Sequence, residues 1–365
     1  MPSIRTPTVS PVSYHRLAVM AAVLLGVIVV TGATVRLTSS GLGCPTWPKC
    51  TATSLVAPAS YHALVEFINR VITFLVGVFV ALVAAGSLLR VPRRRDVIWL
   101  SWSLVAGFCG QAVIGGLSVL YHLDAPWVVA HFLLSMLLMW AALVLVHRAH
   151  PDWTPAAPAV RAELLWLGRL LVAVAGWVLV LGTLTTGAGP HAGSGGNVER
   201  LPLPLERITQ LHADFALLLT GLIIATVIAV RLTSTPPAVW RRAKWLVVAV
   251  LAQVAIGYTQ YFLDLPSSIV ELHVAGATVL WSLTVWMHLG YTVSAPVRSP
   301  FPSAVGQGGY PAPDPGTAIS GPVSEVAFPD DDMPRLPSSL GASAHRTPAR
   351  AHFDADRRLQ RRRRR

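Results

Sequence analysis

Long apolar runs separated by short polar connections dominate the chain up to about residue 290. Each run reaches about 20 residues, the length that an α-helix needs to cross roughly 30 Å of hydrocarbon. The pattern therefore predicts an all-α, polytopic membrane protein with eight transmembrane helices. The runs begin near Leu17, Leu64, Val97, Trp127, Leu164, Ile208, Trp245 and Ile269.

The composition supports a membrane protein, because hydrophobic residues make up 53% of the 365 residues and charged residues only 13%. So few polar side chains do not cover the surface of a water-soluble globule of this size. The formal net charge is +12, but most Lys and Arg residues fall in connections between the apolar runs or in the C-terminal tail. We therefore expect contact with membrane lipid and no nucleic-acid partner.

Lys and Arg residues are concentrated in alternate connections, which indicates the orientation of the chain in the membrane. They precede the first apolar run and follow the second, fourth and sixth, and this predicts a cell-membrane protein with both termini in the cytoplasm. The first run lacks a small-residue cleavage site and is expected to be retained as a helix. The residues that define the cytoplasmic side are Arg5, Arg16, Arg90, Arg93, Arg94, Arg95, Arg148, Arg161, Arg231, Arg241, Arg242 and Lys244.

The chain contains an internal repeat, in which Gln111–Trp140 resembles Gln253–Trp281. Both segments run from Gln through Gly and an apolar stretch to Leu-Asp and Pro, and then to a His on a second apolar run. These histidines are His131 and His273. The repeat predicts two pseudo-symmetric four-helix bundles in parallel orientation, since each half contains an even number of spans.

The repeat and the change in composition after the last apolar run define the expected domains. Residues 17–150 form the N-terminal bundle and residues 164–293 the C-terminal bundle. Residues 1–16 and 151–163 are a cytoplasmic segment and a cytoplasmic linker. Residues 294–365 are rich in Pro, Gly, Ser and Arg, and such a stretch cannot bury enough apolar surface to offset its ordering entropy, so a disordered cytoplasmic tail is expected.

Four histidines are expected near one depth, close to the outer ends of the even-numbered helices. An ionisable ring in an apolar span is costly without a partner, which makes such a position a functional-site hypothesis. A six-coordinate haem iron leaves two axial positions for protein ligands, and two imidazoles on neighbouring helices fill them. The histidines are His62, His131, His212 and His273, of which the last two form the candidate pair of the second half.

The first half differs from the second, because the counterpart of His212 is either Asn69 or His62, and the sequence leaves both open. Asn is a poor haem ligand. If His62 is not the ligand, an iron on His131 keeps an open face, which suits chemistry better than electron transfer alone.

A carboxylate also lies about one helical turn from either candidate. Glu66 at that depth can accept protons during an oxidation or position a polar substrate group. The alternative is an i to i+4 salt bridge with Arg70. Both interpretations stay open at the level of the sequence.

Three cysteines complete the candidate chemistry. Cys44 and Cys50 lie together in GLGCPTWPKC, in a loop that the orientation places on the oxidising side of the membrane, where disulfides persist. The bond is either exchangeable or a structural staple. Cys109, in the third apolar run, is expected to pack inside the bundle.

Five motifs together resemble the haem A synthase family, specifically its actinobacterial-type members. They are RLTSSGLGCPTWPKC, EFINR, AHF on the fourth span, LHAD on the sixth and ELH on the eighth, and the resemblance covers Tyr14 to Tyr291. It implies a fold of two pseudo-symmetric four-helix bundles. It also implies an oxidoreductase that converts the C8 methyl group of haem O to the formyl group of haem A by successive hydroxylations, for cytochrome c oxidase biogenesis.

The same resemblance implies roles for individual residues. A haem b cofactor maps onto His212 and His273, while the substrate haem O enters the N-terminal half, beside His131. The family's essential glutamate maps onto Glu66. The cysteine pair of the outer loop maps onto Cys44 and Cys50. Haem O synthase (protohaem farnesyltransferase) and a quinone or another electron acceptor are the partners that this activity implies.

This chain departs from the family at two places. Family members commonly have a His three residues after the glutamate, where this chain has Asn69, so His62 is the possible substitute. The second outer loop has Gly189, Pro190 and His191 where some members have cysteine. Two alternative functions are a bis-haem electron-transfer subunit that exchanges electrons with quinone and a non-catalytic haem carrier.

Overall fold

Eight long α-helices form almost all of the regular structure in the computed structural model, which describes residues 8–154, 156–191, 193–195 and 198–294. Each helix is long and apolar enough to cross a membrane, so the predicted eight transmembrane helices are confirmed. The expected tail lies outside the described residues from residue 295 onward. The helices are α1 Pro11–Leu37, α2 Tyr61–Leu89, α3 Arg95–Leu120, α4 Ala125–Ala149, α5 Ala162–Ala188, α6 Leu205–Leu232, α7 Pro237–Phe262 and α8 Ser267–Leu289.

The helices begin before the apolar runs that predicted them. The seventh helix, for example, begins at Pro237 and not near Trp245. Proline suits the first helical turn, where its missing N–H has no intrahelical acceptor. The first helix likewise starts at Pro11, after Ser10, whose hydroxyl accepts the N–H of Ser13 at 3.1 Å. Polar or Pro-containing first turns therefore extend each helix beyond its apolar part.

Each half of the chain forms a ring of four helices. In the first ring α1 packs on α2 and α4, and α3 closes the ring between them; α5 to α8 repeat this order. Each ring encloses its own apolar cluster. Fully buried members include Tyr14, Leu104 and Leu145 in the first ring and Leu171, Ile223, Leu246 and Met287 in the second.

The two rings meet along α1 and α4 on one side and α5 and α8 on the other. The indole N–H of Trp281 on α8 donates to the carbonyl of Met136 on α4 at 3.0 Å. The hydroxyl of Thr34 on α1 donates to the carboxylate of Glu271 on α8. Side chains of one ring thus satisfy polar groups of the other within the apolar layer.

Large apolar side chains cover the outer surface of the helices. Phe74 and Trp99 are about three-quarters exposed, at 74% and 75%. A continuous apolar surface of this kind is unfavourable in water and suits hydrocarbon. The outward faces therefore fit a lipid environment.

A short two-stranded ribbon is the exception to the all-helical prediction. Strand β1, Ala156–Pro158, pairs antiparallel with β2, Thr292–Ser294, with Ala157 opposite Val293. Three-residue strands are too short for an alternating pattern to reveal them. The ribbon ties the connection between the halves to the chain after α8.

The opposite end of the molecule carries the Cys44–Cys50 loop, and we call it the disulfide end. Here the α5–α6 connection lies across the first ring, because the N–H of Gly41 donates to the carbonyl of Gly193 at 2.8 Å. Gly193 has φ +96°, and an added Cβ would lie 3.2 Å from the side chain of Leu123. Glycine is needed at this close approach.

The two helix turns at the disulfide end follow one repeat, but in a register that differs from the sequence match. The residues with left-handed backbone are His122 and Leu123 in the α3–α4 turn and Asp264 and Leu265 in the α7–α8 turn. The matched Leu-Asp pairs of the sequence therefore do not occupy equivalent places. The equivalence that holds is that of Gln, Gly and His on the flanking helices.

Candidate functional site

Two imidazoles of the second ring face each other at the disulfide end. His212 on α6 and His273 on α8 have ring centroids 6.4 Å apart and ring planes at 76°. An iron between two imidazole nitrogens, with metal–nitrogen bonds of roughly 2 Å as zinc also makes, places the ring centroids on the order of 6 Å apart. The pair thus has the separation that two axial ligands of one iron need.

The surroundings of His212 select one tautomer. Its Nδ1 lies 3.1 Å from the carbonyl oxygen of Val178. A carbonyl only accepts, so Nδ1 carries the proton and Nε2 keeps a lone pair, which is the usual arrangement of a metal-ligating histidine. Below the ring lies Gly182, where an added Cβ would approach the imidazole Cε1 to 2.8 Å.

The surroundings of His273 are formed by Gln253 and Gly257 on α7. The Gln253 amide nitrogen lies 3.2 Å from the imidazole Nδ1 and donates to the backbone carbonyl of His273 at 2.9 Å. An added Cβ on Gly257 would lie 3.3 Å from the imidazole Cε1. The glutamine holds the helix turn that carries the histidine, and the glycine makes room for its ring.

The first ring repeats this arrangement around His131. Gln111 donates to the carbonyl of His131 at 3.0 Å, and an added Cβ on Gly115 would lie 2.9 Å from the His131 ring. The Oε1 atoms of Gln111 and Gln253 are both buried without a hydrogen-bond partner within the described residues. The frame that carries one imidazole is therefore present twice.

The partner imidazole is not repeated in the first ring. Asn69 on α2 accepts a hydrogen bond from Thr31 on α1 at 2.8 Å. Gly32, near the end of α1 as Gly182 is near the end of α5, has open space around an added Cβ. Across the described part of the chain, the buried Nδ1 of His131 has no hydrogen-bond partner. The side chain on α2 that faces α1 at this level is an amide.

His62 lies elsewhere. It is the second residue of α2, its side chain is exposed, and its Nδ1 lies 3.0 Å from the hydroxyl of Ser40, beyond the end of α1. His131, His212 and His273 are the seventh or eighth residues of their helices, so each lies about 8 Å farther from its helix start than His62 does, at 1.5 Å per residue. Three of the four histidines therefore share one position within their helices, whereas His62 lies at the start of its helix.

Glu66 is buried, with 5% of its surface exposed, and both carboxylate oxygens have partners. Oε1 forms an ion pair of 2.6 Å with Arg70, and Oε2 accepts the backbone N–H of Cys44 at 2.8 Å. The i to i+4 salt bridge considered as the alternative is therefore formed. The Glu66 carboxylate also binds the start of the disulfide loop.

Arg70 fixes the rest of that loop. Its guanidinium donates to the carbonyls of Cys44 at 3.0 Å, Thr46 at 3.1 Å and Lys49 at 3.2 Å. The disulfide between Cys44 and Cys50 is formed, and both cysteines are buried. One ion pair on α2 thus fixes the loop on the disulfide end of the first ring.

Cys109 differs from its predicted place. Its thiol is free and its side chain is exposed on the outer surface of α3. The position is apolar because it faces lipid and not because it packs in the core, and an apolar run does not distinguish these two environments in a membrane helix.

The imidazole pair does not belong to a metal centre built from protein ligands alone. Within the described residues, no three His, Cys, Asp or Glu side chains come together. Zinc in proteins takes three or four such ligands, whereas haem supplies four nitrogens and requires one or two. The residues present fit haem.

Comparison with known proteins identifies the family of this chain. Residues 15–285 match the family COX15-CtaA, whose description is "Cytochrome oxidase assembly protein". The chain belongs to this family. The match includes every candidate ligand, from His62 to His273, and all or most of each of the eight helices.

Two curated relatives of this COX15-CtaA family member are named heme A synthase. This chain is 34% identical over 113 residues to heme A synthase of Geobacillus kaustophilus, a match that covers 30% of this chain and 35% of the relative. It is 31% identical over 137 residues to heme A synthase of Geobacillus thermodenitrificans, covering 37% of this chain and 43% of the relative. These matches thus span less than half of each relative.

Proposed function

We propose that the protein is a haem A synthase that oxidises the C8 methyl group of haem O to a formyl group by successive hydroxylations. The observation that carries the proposal is the difference between two otherwise related rings. The second has two facing imidazoles, and the first has one imidazole with an amide opposite. A conductor of electrons with two equivalent sites does not explain this difference.

In the second ring, His212 and His273 would hold a haem b between them. When bound, this group supplies one-electron transfer. The Val178 carbonyl orients the imidazole of His212, and Gln253 fixes the helix turn that carries His273. The protein thus keeps both imidazoles in place.

In the first ring, His131 would hold haem O by one face. Asn69 is held by Thr31 and does not reach toward a metal as an imidazole does, and the space at Gly32 stays open. His62 is assigned to the loop around Ser40 and not to the iron. The face of the macrocycle opposite His131 is then accessible for oxidation.

Glu66 is proposed as the acidic residue on which the reaction depends. Its carboxylate is bound by Arg70 and by the N–H of Cys44. Protonation removes the charge that strengthens these bonds, so a proton accepted by Glu66 loosens the disulfide loop. Proton uptake and the position of the Cys44–Cys50 loop are therefore coupled through one side chain.

The proposed setting is the cell membrane, with residues 17–150 and 164–293 as the two functional halves and both termini in the cytoplasm. The disulfide end then lies on the oxidising side, where the Cys44–Cys50 bond persists. Haem O synthase supplies the substrate, and a quinone or another acceptor takes the electrons. Haem A passes to cytochrome c oxidase.

Pigment analysis tests the proposal. The full chain is expressed in cells supplied with haem O, and the extracted haems are identified by mass. We expect the alcohol and formyl products, which are absent from cells that carry the empty vector. Recovery of haem O alone from cells that contain the folded protein would refute the enzyme and favour a haem carrier.

A further inference from the structure

Two arginines line a small cavity of about 10 Å³ at the disulfide end, where the two rings meet. Arg36 lies at the end of α1, and Arg200 lies in the α5–α6 connection. The wall between them is mostly apolar and comes from the α3–α4 turn, α4 and α5. Its members include Leu123, Val128, Val129 and Gly187.

Neither guanidinium is neutralised by a carboxylate in the described residues. Arg36 donates to the carbonyls of His191 at 2.8 Å and Thr186 at 2.9 Å, and Arg200 donates to the carbonyl of Pro190. These acceptors orient the two side chains but carry no charge. Each arginine keeps further N–H groups for another ligand, since a guanidinium has five.

Two like charges around one cavity are costly without a counterion. Both arginines are half-buried, and burial lowers the pKa of Arg200. Glu199 also lines the cavity, but its side chain is exposed and forms no ion pair with either arginine. An anionic group between the two guanidinium groups would offset their repulsion.

The cavity lies outward of the candidate ligands of the first ring. Val128 is one helical turn before His131 on the same side of α4, because positions three apart share a face. Arg36 lies five residues beyond Thr31, the partner of Asn69, which is about 7.5 Å along α1. The propionates of a porphyrin lie on one edge of the ring. If that edge of a macrocycle held by His131 faced the disulfide end, the carboxylates would approach this cavity.

We propose that Arg36 and Arg200 bind the propionate carboxylates of the haem held on His131. The inference rests on the proposed function, which places haem O in the first ring. Guanidinium groups bind carboxylates through paired, charge-assisted hydrogen bonds. Since Arg200 comes from the second half, the substrate site is complete only when the α5–α6 connection crosses the first ring, as the bond between Gly41 and Gly193 holds it.

A phospholipid phosphate has the same chemistry as a propionate, and the test separates the two sources. The full chain is placed in nanodiscs of phosphatidylcholine and titrated with haem O and with haem O dimethyl ester, whose propionates are uncharged. Binding is followed by quenching of tryptophan fluorescence, for which the chain has 12 Trp residues. The haem b spectrum in each sample reports that the second ring is folded.

The parent protein should bind free haem O about tenfold to a hundredfold more tightly than the ester. Arg36→Gln or Arg200→Gln should remove this preference and leave binding of the ester unchanged. Arg207→Gln, an exposed arginine at the start of α6, is the matched control and should keep the preference. If Arg36→Gln does not fold, Arg36→Lys should keep part of it, since a point charge replaces the paired donors.

Three results would overturn the inference. Equal binding of acid and ester by the parent would exclude the propionates while leaving the proposed function intact. Loss of the phospholipid that co-purifies with the parent from both arginine variants, with unchanged haem preference, would assign the cavity to lipid. Failure of the folded parent to bind either haem would refute the proposed function and the inference together.

Discussion

In the second ring two imidazoles face each other across α6 and α8, whereas the first ring has His131 and, in place of the other imidazole, Asn69. The helices that carry them are related by the same repeat, and the glutamine and glycine around His131 recur around His273. The supporting frame is thus kept and one proposed ligand position is changed. A saturated iron suits electron transfer and an open one suits chemistry, so a single position separates the two proposed roles.

The largest predicted effect comes from removing one of the paired imidazoles of the second ring. His273→Ala should abolish the low-spin b-type spectrum of the purified protein, because one axial ligand and its fixed geometry are lost. His62→Ala is the control and should leave the spectrum unchanged, since His62 contacts Ser40 outside the pair. A low-spin spectrum that survives in His273→Ala would show that the pairing with His212 is wrong.

A second prediction concerns a substitution that makes the first ring resemble the second. Asn69→His should place an imidazole on α2 toward the open space at Gly32, as His212 lies against Gly182. We expect an added low-spin haem signal when haem O is bound, measured by electron paramagnetic resonance. Asn69→Gln is the control and should add none, because an amide is a poor iron ligand. Haem O binding to Asn69→His without a new low-spin signal would place residue 69 away from the axial face.

The sequence was sufficient for the features that depend on periodicity. Eight apolar runs predicted eight helices, and the spacing of Gln111, Gly115 and His131 recurs in Gln253, Gly257 and His273 because both sets perform the same packing. The pattern could not reveal the places where two environments look alike. Cys109 faces outward, and the sequence does not show this because core and lipid both select apolar residues.

Contacts between distant connections were also beyond the sequence. Arg36 and Arg200 are brought together by the path of the α5–α6 connection. The composition of a loop does not predict that path. Similarly, the pattern placed Glu66 near Arg70 but gave no indication that the same carboxylate binds the N–H of Cys44. Helix spacing predicts neighbours on one helix, whereas the fold decides what approaches from elsewhere.

The smallest predicted effect concerns the Cys44–Cys50 loop, which Glu66 and Arg70 on α2 bind. Glu66→Gln keeps an acceptor for the N–H of Cys44 but loses the charged partner of Arg70. A charge-assisted bond exceeds a neutral one by about 1 kcal/mol, so we expect the Cys44–Cys50 disulfide to be reduced about fivefold faster by dithiothreitol. The rate is measured by alkylation of the released thiols, with the haem b spectrum unchanged.

Glu163→Gln is the matched control for this measurement, since Glu163 also pairs with an arginine, Arg161, at 3.1 Å, but on the exposed start of α5. Solvent already screens that pair, so its loss should leave the reduction rate at the parent value. If Glu66→Gln and the parent are reduced at the same rate, the carboxylate does not hold the loop. Any loss of haem A formation in that variant then comes from proton transfer alone. The proposed coupling between proton uptake by Glu66 and the Cys44–Cys50 loop is then refuted.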